Sequence, residues 1–145
     1  MPHVPPPVVA LAAGTAQHLL AGDRRPGPLR AAVAAAVAAG SAYLLVGSTQ
    51  RFASHHTTVD PLRPARASAL VTDGPNRITR NPMYLGMAGL LASHAVARGG
   101  PVLALPVAAF VAIIDRVQVR PEEAALRGQF GAEYDAYCRT VRRWL

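Results

Sequence analysis

The stretch that decides the fold is "RNPMYLGMAGLLASHAVARGGPVLALPVAAFVAIIDR", Arg80 to Arg116. From Asn81 to Ala97 it carries no charge, and after Arg98-Gly99-Gly100 it carries none until Asp115. A membrane-crossing helix needs roughly 17–25 mostly apolar residues, and both arms are short against that need. The joint between them is short, so the arms read as a tight helical hairpin. Polar residues gather at the hairpin's open end, with Arg80 and Asn81 before the first arm and Asp115 and Arg116 after the second. A hairpin brings its own ends together, so these groups should meet on one side.

Two further uncharged blocks precede the hairpin. Met1 to Gly22 includes Pro5-Pro6-Pro7, Gln17 and His18, and Ala31 to Gln50 is rich in alanine. The first could be a signal peptide, since Ala10-Leu11-Ala12 resembles a cleavage site, but it lacks a basic start and prolines interrupt it. The second could be the buried helix of a soluble bundle. Four such blocks in 145 residues argue instead for an all-α integral membrane bundle with about four transmembrane helices, in one domain spanning 1–145. Two N-terminal helices occupy 1–50, and the core occupies 51–145.

Composition agrees. Hydrophobic residues make up 51% and charged ones 16%, against roughly 25% charged in soluble domains. All 15 basic residues are arginine, and with 8 acids they leave a net charge of +7. They fall between apolar blocks rather than among interleaved aromatics, which excludes nucleic acid as the expected partner and points to membrane lipids. Five arginines lie between Arg51 and Arg80 and six from Arg116 onward, against Arg24, Arg25, Arg30 and Arg98 on the other side. The excess of basic residues on cytoplasmic loops then places both termini inside the inner membrane, with the hairpin's open end facing the cytoplasm. Cys138 is the only cysteine, and one Cys with five scattered His makes no zinc pattern, so no metal is expected.

After Pro121 the pattern changes. Leu126, Phe130, Tyr134, Tyr137 and Val141 recur at helical spacing, interrupted at Gly131. This predicts an amphipathic helical tail on the cytoplasmic side, broken once, with Asp135 and Arg139 pairing at i, i+4 on its outer face. Tyr134, Tyr137 and Trp144 suit a membrane–water interface, although packing on a protein core produces the same stripe.

Two polar clusters flank the hairpin: "GPNRITRNPMY", Gly74 to Tyr84, and Arg116, Arg120, Glu122 and Glu123. Each has a plain structural explanation. Pro82 favours a first helical turn, Asn81 is a good N-cap, and Pro121-Glu122-Glu123 places carboxylates where a helix start favours them. In tandem they resemble a family. "GPNRITRNPMYLG" followed by "RPEEAALRGQFGAEYDAYCRTVRRWL" is similar to the isoprenylcysteine carboxyl methyltransferase and phospholipid methyltransferase group. The group's pattern is Gly-Pro-aromatic-x-x-x-Arg-His/Asn-Pro-x-Tyr-x-Gly, a hairpin, Glu-Glu, Phe-Gly-x-x-Tyr-x-x-Tyr and a closing Arg-Trp. The likeness runs from "TTVDP" at Thr57 to Pro61 through Leu145, and two positions depart from it. Asn81 stands where prenylcysteine enzymes carry histidine, and Asn76 replaces the usual aromatic.

The resemblance implies methyl transfer from S-adenosylmethionine to a lipid-like or small hydrophobic acceptor, with a cofactor-binding core in 51–145. Its cofactor residues would be Gly74, Arg80, Asn81, Pro82, Met83, Tyr84, Glu122 and Glu123. Arg80 and the helix start offer a cation and N–H groups to the cofactor's carboxylate. Asn81 both donates and accepts, and Tyr84 can stack or hydrogen-bond at the pocket wall. Glu122 can accept from the ribose or the ammonium, while Glu123 can do the same or pair with an arginine. His94, deep in the third helix, could reach the adenine or form an interhelical bond. Arg116 and Arg120 are the candidate substrate residues, for a phosphate or carboxylate head group. Gly86 and Gly89 read as close helix packing, Asp115 as an arginine partner and His55-His56 as a loop element. The rival classes are a non-catalytic membrane protein keeping this fold and a soluble basic binding module.

Overall fold

The computed structural model describes residues 4–54 and 69–145. "TTVDP", His55-His56, Arg63 and Arg66 lie outside the described residues. Within them every regular element is helical. The helices are α1 (Pro6–Ala21), α2 (Pro28–Ser54), α3 (Pro82–Arg98), α4 (Ala104–Ile114), α5 (Arg120–Phe130) and α6 (Ala132–Thr140).

The α2–α3 contact is built from small residues. Ala34, Ser41 and Ser48 recur every seven residues along the buried stripe of α2. Ser93 donates from its Oγ to the Ala34 carbonyl at 2.8 Å, locking the far end of the pair. A Cβ on Gly86 would sit 2.7 Å from Leu45 Cγ and 2.9 Å from the Ser41 carbonyl, and one on Gly89 would strike Ser41 Oγ. Glycine is therefore required for this approach, as in packed membrane helices.

The hairpin forms as the sequence predicts. Gly99 and Gly100 turn the chain at φ +70° and +106°, values that side chains rarely adopt. The first loop lies at this same end. Arg24 Nη1 donates to the Gly99 carbonyl at 3.2 Å and Arg98 Nη1 to the Arg24 carbonyl at 2.6 Å. Those arginines and the hairpin turn thus share one end of the bundle, opposite Arg80. Gln17, fully buried on α1, ties α1 to the hairpin by donating to the carbonyls of Leu91 (3.1 Å) and Leu103 (2.8 Å). Tyr84, Ala88, Leu91, Phe110, Ile114 and Val119 make the core, with Trp144 of the returning tail packed against it.

One expectation is corrected. The fourth helix does not stop at Asp115. It runs continuously from Pro101 to Phe130, 30 residues, through a π turn at Asp115–Val119. A proline inside a helix clashes with the carbonyl four residues back, and Val117 holds that position for Pro121. The wider π turn gives it room. Glu122 and Glu123 consequently do not cap a free helix start, because Val119 before them is itself helical. Among the described residues, two helices are long and apolar enough to cross a membrane, Pro28–Ser54 and Pro101–Phe130. α1 has 16 residues and α3 has 17. Large apolar side chains such as Leu11, Leu19, Leu29 and Leu105 face outward.

Candidate functional site

The predicted break at Gly131 (φ +51°) reverses the chain so that α6 and the residues after it return beneath the hairpin's open end. There the "TRN" turn clasps them. Thr79 Oγ1 and Asn81 Nδ2 both donate to the Arg143 carbonyl at 2.9 Å, and the Arg80 backbone N–H donates to the Arg142 carbonyl at 2.9 Å. Arg80 Nη1 reaches the carbonyls that end α6, Val141 at 2.7 Å and Cys138 at 3.4 Å. A cation at a helix C-terminus satisfies orphan carbonyls and complements the dipole. Asn81 sits at the N-cap of α3 as expected, but its side chain makes no capping bond. It is spent on the tail instead.

The two glutamates divide. Glu123 accepts from Arg80 Nη2 at 2.8 Å and from Arg143 Nη2 at 2.7 Å and Nε at 3.0 Å. Burial works against the Arg80 charge, and the bonded Glu123 carboxylate more than restores it, so the guanidinium stays firmly protonated. Hydrogen bonding to Glu123 likewise raises Arg143. Glu122 belongs to another set. Tyr84 O–H donates to its Oε1 at 2.6 Å and Gln118 Nε2 donates to the same oxygen at 2.7 Å. Both bonds fall on Oε1 and neither on Oε2. Here the π turn matters, since Gln118 lies within it and bonds forward to Glu122.

Arg80, Asn81, Glu122 and Glu123 line one cleft, together with Phe52, Ala69 to Val71, Asn76, Leu126, Tyr134 and Tyr137. The cavity is about 110 Å³, or about 550 Å³ with its open mouth. Small-molecule sites commonly span ~300–1,000 Å³, so a cofactor-sized ligand must extend through the mouth. Tyr134 and Tyr137 are buried here rather than at a lipid interface. Tyr137 O–H donates to the Asn76 carbonyl at 2.6 Å, and burial pushes its phenol up to about 12. Two lining residues carry buried polar atoms without a partner, Asn76 Oδ1 and Arg80 Nε.

Several predicted residues lie elsewhere. Gly74 (φ +56°) shapes the Gly74–Arg77 turn against Arg51, while Pro82 and Met83 form the first turn of α3. His94 lies ten residues beyond Tyr84 in the sequence. At 1.5 Å per residue that is about 15 Å along α3. Its ring stands 6.4 Å from that of His18 on α1, and the structure does not bring it to the cleft. Arg116 is exposed. Arg120 is exposed too and pairs with Asp115 at 3.0 Å, which also binds Arg143 at 3.3 Å and accepts from Trp144 Nε1 at 3.2 Å. Asp135 pairs with Arg127 of α5 across the Gly131 break at 2.8 Å and not with Arg139, although Asp135 and Arg139 share α6, because the break sets Arg127 beside the first turn of α6. Sequence reading missed Arg143 and Gln118 as partners of the two glutamates, and the two tyrosines as cleft lining. The closing Arg-Trp motif was the available signal for Arg143.

The phospholipid methyltransferase family profile matches residues 29–133. The chain belongs to that family. Membership implies a methyltransferase acting on a lipid-like substrate, and the family is membrane-associated, in keeping with the two apolar helices. An uncharacterized protein of Haemophilus influenzae is 36% identical over 63 residues, which is all of that protein and 43% of this chain. No solved structure matches.

Proposed function

We propose that this phospholipid methyltransferase family member moves a methyl group from S-adenosylmethionine to the head group of a lipid-like acceptor at the cytoplasmic face of the inner membrane. The observation that carries the reading is the convergence of Arg80 and Asn81 with Glu122 and Glu123 around one cleft, from motifs on opposite sides of a hairpin.

The cleft's donors and acceptors fit the cofactor. Arg80 Nε, buried and unpartnered, suits a carboxylate, although Nη1 and Nη2 are already engaged. Glu122 Oε2 suits the ammonium or ribose hydroxyls, with Tyr84 and Gln118 holding Oε1. Tyr134 and Tyr137 supply aromatic wall. Once bound, the cofactor supplies a sulfonium-borne methyl group that needs no activation by the protein. What remains is to hold the two reactants aligned and exclude water, an effect worth up to ~7–11 kcal/mol in well-oriented systems. Arg116 and Arg120, exposed just beyond α4, would face the acceptor's phosphate or carboxylate.

In this reading α1 and α3 also cross the membrane. At 16 and 17 residues they span roughly 24–26 Å against a hydrocarbon core of ~30 Å, a mismatch met by local thinning. Both termini and the helical tail then face the cytoplasm. The test is incubation of the purified protein in native lipid with isotopically labelled S-adenosylmethionine, followed by identification of the labelled product. Label in a lipid or other amphiphile supports the proposal. Cofactor binding without any labelled product favours a non-catalytic protein that kept the fold, and no cofactor binding overturns both.

A further inference from the structure

Asn76 departs from the aromatic of the family pattern, and its surroundings give the change a purpose. The residue is 4% exposed and lines the cleft. Its backbone is held on both sides, the N–H donating to the Asp73 carbonyl at 3.1 Å and the carbonyl accepting from Tyr137 O–H at 2.6 Å. Asp73 in turn pairs with Arg51 in the last turn of α2 at 3.2 Å. A side chain mounted so rigidly has little freedom to seek a partner, yet its Oδ1 is buried and has none among the described residues. A buried carbonyl oxygen without a donor is unfavourable, and native structures rarely leave one unless a ligand or water satisfies it.

We infer that Asn76 determines specificity in the cleft by accepting, through its carboxamide oxygen, a hydrogen bond from the exocyclic amine of the cofactor's purine. The inference rests on the cleft being the cofactor site. Of the donors on S-adenosylmethionine, the ammonium belongs with an anion, and among the described residues Glu122 is bonded by Tyr84 and Gln118 while Glu123 is taken by two arginines. Glu122 hangs from α5, whereas Asn76 is anchored towards the end of α2, where Phe52 and Ala69 to Val71 complete the lining. That is an apolar surround with a neutral acceptor, and a flat purine with an amine at its edge matches it.

The experiment is calorimetry on the full chain in detergent with two probes, S-adenosylhomocysteine and S-inosylhomocysteine, whose purine carries an oxygen in place of the amine. The wild type should prefer the amino form at least tenfold, since an oxygen facing Oδ1 leaves two acceptors unpaired. Asn76→Leu should bring the preference to within threefold, and Asn76→Asp, which keeps an acceptor, should retain it. A wild type that binds both probes equally overturns the inference without any variant, as does an unchanged preference in folded Asn76→Leu. If the wild type binds neither probe, the cofactor reading of the cleft has failed, and the inference falls with it.

Discussion

Glu123→Ala should be among the most destabilising single substitutions in the chain. Its side chain is 10% exposed and holds two guanidiniums at once, Arg80 at 2.8 Å and Arg143 at 2.7 Å. Removing it leaves both cations facing each other across a vacated site. Breaking a buried pair by deleting one partner costs about 3–5 kcal/mol. The Arg143 side chain is 34% exposed and so partly screened, while the Arg80 side chain is 12% exposed, so the Arg80 half dominates. A loss of about 3 kcal/mol is therefore expected, roughly a hundredfold in the folded-to-unfolded ratio. Glu123→Gln, which keeps the shape and an acceptor but not the charge, should lose about half of that.

The assay is reversible unfolding in mixed micelles, together with proteolysis of the tail. Arg80 also binds the Val141 carbonyl, so loosening Arg80 should free the segment after α6 first and expose its arginines to trypsin. A double-mutant cycle of Glu123→Ala with Arg143→Ala separates that pair from the rest and should show coupling of about 1 kcal/mol. Glu122→Gln is the control, since it keeps Oε1 as an acceptor and touches no arginine. The reasoning is refuted if Glu123→Ala unfolds within 0.5 kcal/mol (an order-of-magnitude margin) of the wild type, or if Glu122→Gln proves the more damaging of the two.

Gly86→Val should cost about 1–3 kcal/mol by overpacking, because even a Cβ meets Leu45 and the Ser41 carbonyl. Gly128→Ala, with nothing within 4 Å, should instead stabilise α5 by about 0.5–1 kcal/mol in the same unfolding assay. Tyr137→Phe removes the bond to the Asn76 carbonyl and leaves that oxygen short of a donor; melting in micelles should register about 1–3 kcal/mol. Arg120→Ala should raise the acceptor's KM or lower kcat while calorimetry finds cofactor affinity unchanged. Its exposed pair with Asp115 should contribute under ~1 kcal/mol to stability.

How much of this was legible in the sequence follows from which interactions are local. The hairpin was, because uncharged runs and a Gly-Gly joint are properties of neighbouring residues. So were the break at Gly131 and the close packing at Gly86 and Gly89. The π turn was not. Pro121 signals that a helix must change, but a helix end and a widened turn answer the same clash, and the choice depends on what Gln118 and Glu122 gain from continuing. The pairing of Asp135 was also beyond reach, because its partner Arg127 comes from the helix before the break, eight residues away, and i, i+4 spacing within α6 does not reveal that competitor. Arg143 lies twenty residues from Glu123, and nothing in the spacing says that the tail folds back beneath Arg80.

The same tail explains why one motif serves two purposes. Read in tandem, "RNPMY" and "PEE" resemble a family in which both would serve a bound molecule. In the structure Thr79, Arg80, Asn81 and Glu123 spend most of their hydrogen-bonding capacity on residues 138–143. Those contacts close the floor of the cleft and bring Tyr134 and Tyr137 into its wall. The buried polar atoms of the cleft lining left without a partner are Arg80 Nε and Asn76 Oδ1. A polar atom with no partner in a site otherwise so fully paired is the mark of a place for something else. Rigid pairing around it is what would let the site hold two reactants in line, since alignment is the one contribution this chemistry asks of the protein.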